Sequence, residues 1–119
     1  MDKKLKAVRL GHWAESISCW LLRLKGYRII VRNLRTPVGE VDIIAKRANT
    51  LCFIEVKARK THFSALHAVS LHQQKRIVRA AKSFLSRNQR YCGHQIRFDL
   101  IAIAPKHWPK HIQNAWTEL

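Results

Sequence analysis

The sequence predicts an α/β domain, a mixed central sheet flanked by helices, and three observations predict it. Two segments carry apolar residues at three- and four-residue spacing, three short β-branched runs lie between them, and a fourth apolar run follows the second. The resulting order is helix, three strands, helix, strand. At 119 residues the chain reads as one domain over 1–119, with a core over about 5–104 and a short C-terminal tail over 105–119. That length buries roughly two thirds of the unfolded surface, so no disulfide or metal staple is needed for folding.

The first helix is expected over about 5–25, where Leu10, Trp13, Ile17, Trp20, Leu21 and Leu24 form one stripe and Gly26 sits at the C-cap position. Residues 27–31 read as a first strand, 33–37 as a turn, 38–45 as a second strand and 51–58 as a third, with 46–50 as the hairpin loop. A polar connection containing Thr61, His62 and Ser64 leads to a helix over about 70–87. On that helix Ile77, Val78, Ala80, Ala81, Phe84 and Leu85 share one side and Lys75, Arg76, Arg79 and Lys82 the other. Residues 97–104 have the continuous apolar character of an interior strand, and Pro105 and Pro109 are expected to end the regular structure.

Composition narrows the function. A hydrophobic fraction of 47% excludes a disordered chain. Twenty-three Lys plus Arg against seven Asp plus Glu leave a net charge of +16, which calls for a polyanionic partner. Cys19, Cys52 and Cys92 are odd in number and widely spaced, so they read as buried thiols in a reducing, cytoplasmic setting rather than as a zinc or redox pair. The basic run Lys3, Lys4, Lys6 and Arg9 precedes an apolar stretch that is cut by Glu15 and Arg23 and never reaches the length of a signal peptide or a spanning segment, so neither is expected. His62, His67, His72, His107 and His111 lack cysteine or acidic neighbours at zinc-ligand spacing.

The acids carry the chemistry. Glu40, Asp42, Glu55 and Asp99 fall in or beside expected interior strands, where a carboxylate must be paired, coordinated or neutralised. Residues i and i+2 of a strand face the same way, so Glu55 and Lys57 project together, and the hairpin brings Asp42 to their side. Two carboxylates and an ammonium at one point suit Mg²⁺ or Mn²⁺, which lean on one or two carboxylates plus a substrate phosphate. Glu40 could be an outer ligand, a turn acid or a partner for Arg35, with the structural role favoured; Asp99 is expected to pair with Arg97 at a strand end. By periodicity alone Glu15 lies opposite the apolar stripe, where a solvated surface acid is at least as much to be expected as a ligand.

An Asp followed about a dozen residues later by Glu-x-Lys, on a hairpin leading to a helix, resembles the PD-(D/E)XK nuclease superfamily, whose members include restriction endonucleases and Holliday-junction resolvases. More closely, Asn33-Leu34-Arg35, Gly39-Glu40-Val41-Asp42-Ile43-Ile44-Ala45, Phe53-Ile54-Glu55-Val56-Lys57-Ala58-Arg59, Lys75 with Ala80-Ala81, and Arg97-Phe98-Asp99 are similar to the YraN family of its resolvase-like branch. The resemblance implies a restriction-endonuclease-like αβββαβ core. It makes Asp42 and Glu55 metal ligands, Lys57 the water-positioning lysine and Glu15 a further carboxylate at the metal, and it puts Gln73, Gln74 and Lys75 where a helix approaches substrate phosphate. Ser64-Ala65-Leu66-His67 departs from the family pattern, lacking its Gly, Pro and Glu.

The expected function is a Mg²⁺- or Mn²⁺-dependent endonuclease cutting phosphodiester bonds of duplex or branched DNA. Arg35, Arg59 and Lys60 near the site, and Gln74, Lys75, Arg76, Arg79 and Lys82 on the second helix, are the expected nucleic-acid contacts; that helix carries no carboxylate at i±4 to answer its charge. The alternative is a catalytically inactive DNA- or RNA-binding module of the same fold. The tryptophans Trp13, Trp20, Trp108 and Trp116 are expected to pack in core and tail rather than stack on bases, and the first helix to dock on the sheet rather than on a membrane. The resemblance is compatible with a two-fold homodimer, though no residue marks its face.

Overall fold

The computed structural model describes residues 3–117, with side chains from Gly11 onward. The side chains of the N-terminal basic run and of Leu10 therefore lie outside the described residues, as do Asp2 and Glu118. Helix α1 (Lys3–Leu24) leads to strands β1 (Arg28–Thr36), β2 (Gly39–Arg47) and β3 (Thr50–Ala58). Helices α2 (His62–Leu66) and α3 (Leu71–Arg87) follow, then a 3₁₀ turn (Gln89–Tyr91), β4 (Gln95–Ile103) and β5 (Lys110–Trp116). The strands form one mixed sheet in the order β1-β2-β3-β4-β5. Only β3 and β4 pair in parallel, in register from Thr50 opposite Gln95 to Ala58 opposite Ile103, with α2 and α3 making the crossover that a parallel pair requires.

Strand alternation divides the interior into two cores. Ile43, Ala45, Cys52, Ile54, Ile101 and Ile103 face α1, while Ile44, Leu51, Phe53, Phe98 and Leu100 face α3 with its Ile77, Ala80, Ala81 and Phe84. Ser70, just ahead of α3, caps it by accepting the Gln73 N–H at 3.1 Å. A Cβ on Gly39 would lie 2.1 Å from the Arg76 carbonyl oxygen, so α3 crosses the β1–β2 hairpin at a distance only glycine permits.

The structure corrects four expectations. First, the sheet-facing side of α1 consists of Ala14, Glu15, Ser18, Cys19 and Leu22, while Trp13, Trp20 and Leu24 are exposed. Small side chains let the helix lie close to the sheet, and Ser18 satisfies its hydroxyl by donating to the Ala14 carbonyl at 2.8 Å; of the expected stripe Ile17 and Leu21 pack at the edge of this core, while Trp13, Trp20 and Leu24 face outward, with Arg23 over the Trp20 ring. Trp108 is exposed as well, so of the four tryptophans only Trp116 is buried. Second, β1 runs on to Thr36 where a turn was expected from residue 33. The turn is only Pro37-Val38, closed by Thr36 Oγ1, which accepts the N–H groups of Val38 and Gly39 and donates to the Gly39 carbonyl. Third, the chain beyond Pro109 is a fifth strand whose Trp116 stacks on Phe98, because the edge of β4 still has hydrogen bonds to satisfy. Fourth, Cys19 and Cys52 are buried thiols but Cys92 is exposed. Within the expected polar connection, Thr61 caps the short helix α2. Among the described residues no helix is long and apolar enough to cross a membrane.

Candidate functional site

The paired ladder between β2 and β3 stops at Ile43 and Ile54. One step beyond, Asp42 Oδ2 accepts the Val56 N–H at 2.8 Å, so a carboxylate takes the donor that the strand partner leaves free. Glu55 shares the face of Phe53 on β3 and points towards α3, where Gln73 Nε2 donates to its Oε1 at 3.0 Å. Lys57, two residues along, brings its Nζ to 3.2 Å from the same oxygen. Gln73 reaches this point because it is the third residue of the capped first turn of α3 and lies on the side anchored by Ile77 and Ala80.

Glu15 arrives from α1. It is 8% exposed, and its Oε1 lies 3.5 Å from Arg32 Nε yet is buried without a hydrogen-bond partner. Glu15, Asp42, Glu55 and Lys57 line one open cavity of about 440 Å³ together with Arg35 and Arg59. Asp42 and Glu55 also line a smaller cavity of about 140 Å³ beside Glu40, Gln73 and Arg76. The carboxylate pair thus stands between two openings, one bounded by α1 and one by α3.

These acids are poorly compensated. Burial, and then the Asp42 carboxylate, push Glu55 up to about 8, with Lys57 opposing. Burial also raises Asp42 against the pull of the Val56 N–H and of Lys57. It raises Glu15 too, with Asp42 adding to the effect and Arg32 opposing it. Three carboxylates raised above their ordinary range chiefly by burial, with Asp42 adding to the effect on Glu15 and Glu55, call for a proton or a cation. Among the described residues no three His, Cys, Asp or Glu side chains are arranged to hold a metal as they stand, since Glu15 turns to Arg32 and Glu55 to Lys57 and Gln73. The donor set nevertheless fits a hard divalent ion: it is all oxygen, it carries an orphaned carboxylate oxygen, and it opens on a cavity able to admit water and phosphate.

The structure therefore brings together Glu15, Asp42, Glu55, Lys57, Arg35 and Arg59, and separates the basic residues of α3. Gln74, Lys75, Arg79 and Lys82 line a different groove of about 270 Å³, and Gln74 Nε2 donates to the Val69 carbonyl within its own turn. Arg76 lies instead on the acid side. Lys60 borders a third, apolar cavity. Gln73, rather than Gln74 or Lys75, is the helix residue that hydrogen-bonds an acid of the site, and the spacing 73, 77, 80, 84 with the Ser70 cap was the available signal. Arg32 had no signal, because the first strand was expected to end at residue 31. Glu40 makes a solvated pair with Arg35 at 4.0 Å across the hairpin. Asp99 pairs with Arg97 as expected, but in the middle of β4 and with His111 as a second partner.

The family profile described as "Uncharacterised protein family UPF0102" matches residues 14–103, a span that contains every member of the acid cluster. A UPF0102 protein of Parvibaculum lavamentivorans is 44% identical over 112 residues, covering 94% of this chain and 84% of the relative. One of Chelativorans sp. is 44% identical over 111 residues, with 93% and 90% covered, and one of Sinorhizobium medicae 43% over 115 residues, with 97% and 94% covered.

Proposed function

The chain belongs to UPF0102, the YraN family within the restriction-endonuclease-like superfamily, and on that premise we propose that it is a Mg²⁺- or Mn²⁺-dependent endonuclease acting on DNA phosphodiester bonds, with branched or otherwise structured duplex as its substrate. The observation that carries this reading is the cluster of Glu15, Asp42 and Glu55, each raised by burial, beside Lys57 in a cavity open to solvent. Asp42 and Glu55 would hold the ion, with Glu15 joining once it leaves Arg32. The bound ion supplies Lewis-acid polarisation of a phosphate oxygen and charge neutralisation.

The chain's own residues do the rest. Lys57 Nζ, fixed by Glu55, is placed to hold the attacking water and to face the charge that develops on the phosphoryl oxygens. The water oxygen forms a bond to phosphorus and gives up a proton to solvent, while the bond to the leaving deoxyribose oxygen breaks and that oxygen takes up a proton from solvent. Gln73 holds the Glu55 carboxylate in the orientation that Lys57 shares. Arg35 and Arg59, exposed on the cavity rim, meet the strand's phosphates, contacts that position the backbone without reading sequence. A net charge of +16 supports a nucleic-acid substrate and steep salt dependence.

The test is cleavage of plasmid and four-way-junction DNA with and without Mg²⁺ or Mn²⁺. Activity that requires the ion and disappears in a D42A/K57A double variant supports the assignment. Activity surviving in that variant, prepared free of contaminating nuclease, removes it.

A further inference from the structure

The middle of α1 at Trp13, the chain leaving β3 and the chain leaving β4 meet at one end of the sheet. Because β3 and β4 are parallel, Ala58 and Ile103 end side by side, and the residues beyond them lie against the same patch. There Trp13, Ala58, Ile103 and Pro105 wall an apolar slot of about 360 Å³ whose rim carries Arg59 and Lys60. Ala58 and Arg59 also line the acid cavity, so the two spaces are neighbours sharing a wall. The Arg59 guanidinium folds onto the Ala58 carbonyl at 2.8 Å, on that shared wall.

Trp13 is 55% exposed although its helix has a buried face one residue away. Phe63 and Trp108, 71% and 88% exposed, sit on the segments that follow β3 and β4, and these segments touch through the His62 and His107 rings. An aromatic wall with a cationic rim is complementary to a base that carries its own phosphate: the ring offers a stacking face, and Arg59 and Lys60 offer counter-charge to the backbone. A lipid surface would want a broader apolar face, and a helical protein partner a longer groove.

We infer that the slot beside Trp13 holds an unpaired nucleobase, so that the nucleic acid presented to Asp42, Glu55 and Lys57 carries a single-stranded segment next to the phosphate that is cut. This deepens the nuclease reading above and rests on it. Duplex placed over the acid cavity runs its strand past Arg59, and the slot takes the first base that has no partner to stay stacked with.

The test is fluorescence anisotropy in EDTA, where no cleavage occurs, with a blunt duplex and a forked duplex carrying 2-aminopurine at its first unpaired position. The expected result is tighter binding of the fork, with quenching of the 2-aminopurine emission. Trp13→Ala weakens fork binding about tenfold, abolishes the quenching and leaves duplex binding within about twofold, and Trp13→Phe restores most of the loss. An unchanged thermal midpoint in both variants excludes misfolding as the cause. If wild-type protein binds both nucleic acids but Trp13→Ala weakens both equally or neither, the slot assignment falls while the nuclease reading stands. If instead Trp13→Ala alters the oligomeric state and not fork binding, the slot is a contact between copies and the inference is overturned. If the wild type binds no nucleic acid, the reading on which the inference rests falls first.

Discussion

Two buried acid centres occupy the same sheet, and they are opposites. Asp99, 0% exposed, accepts from Arg97 Nε at 2.9 Å and Nη2 at 2.9 Å, from His111 Nε2 at 2.8 Å and from the Asn114 N–H at 3.0 Å. Arg97 is held in turn by the Tyr27 hydroxyl, and His111 by Lys25. Burial alone would push Asp99 up, but the bonds from His111, Arg97 and Asn114 together outweigh it and hold the carboxyl below its ordinary range. Glu55, 6% exposed, has Lys57 and Gln73 as partners and a like charge in Asp42, and it is pushed up to about 8. A carboxylate that the fold has fully paired ties β4 to β5. One that the fold leaves in deficit, beside a cavity, is poised for something from outside the chain.

The contrast breaks first at Asp99. Asp99→Ala strips one partner from a buried network and leaves Arg97 uncompensated, so it should cost about 3–5 kcal/mol in urea unfolding. A loss below about 1 kcal/mol would make the two centres alike. Asp42→Asn is the counterpart, since the amide oxygen can still accept the Val56 N–H while one like charge disappears. Metal-dependent cleavage should fall at least about 100-fold, whereas metal-free stability should hold or rise by on the order of 1 kcal/mol. A strongly destabilised Asp42→Asn protein would mean that its charge is structural.

Gly39→Ala probes the support of the site. With the Arg76 carbonyl 2.1 Å from the added methyl, α3 must shift, at a cost of about 1–3 kcal/mol. Gln73 is then expected to lose its grip on Glu55, and a wild-type stability and activity would refute that chain of contacts.

The pH dependence of the metal-free protein sharpens the comparison because the two centres act with opposite sign. Asp99, depressed, contributes stability above its ordinary 3.8 that is lost as pH falls through its lower folded value. Glu55, raised from 4.5 to about 8, contributes stability that is complete below 4.5 and lost as pH rises through 8. Stability should therefore decline as pH rises from about 4.5 to about 8. Glu55→Gln should flatten that decline, and Mn²⁺, competing with the proton, should stabilise the protein more at pH about 8 than at pH about 5. A decline over that range that Glu55→Gln does not alter would exclude Glu55 as its source. The smallest effect is expected far from both centres. Ala48 sits at φ 51 in the β2–β3 turn, and Ala48→Gly should gain up to about 1 kcal/mol in thermal unfolding by relieving that strain.

The sequence by itself determined the order of the two long helices and four strands through β4, though not the short helix α2, and the convergence of Asp42, Glu55 and Lys57. Strand alternation and a short hairpin are local geometry, and local geometry can be read from spacing. It also determined the Arg97–Asp99 pair, since residues i and i+2 of a strand share a face. Only the tertiary structure decided which side of α1 turns inward. Spacing marks Trp13, Trp20 and Leu24 as a stripe, but close approach to a sheet selects the small residues Ala14, Ser18 and Cys19 and carries Glu15 in with them. It alone decided that His111 completes the Asp99 network from a fifth strand, and that the basic residues of α3 divide between two openings. These outcomes depend on which surface lies opposite, and a residue's own neighbours in the chain carry no information about that.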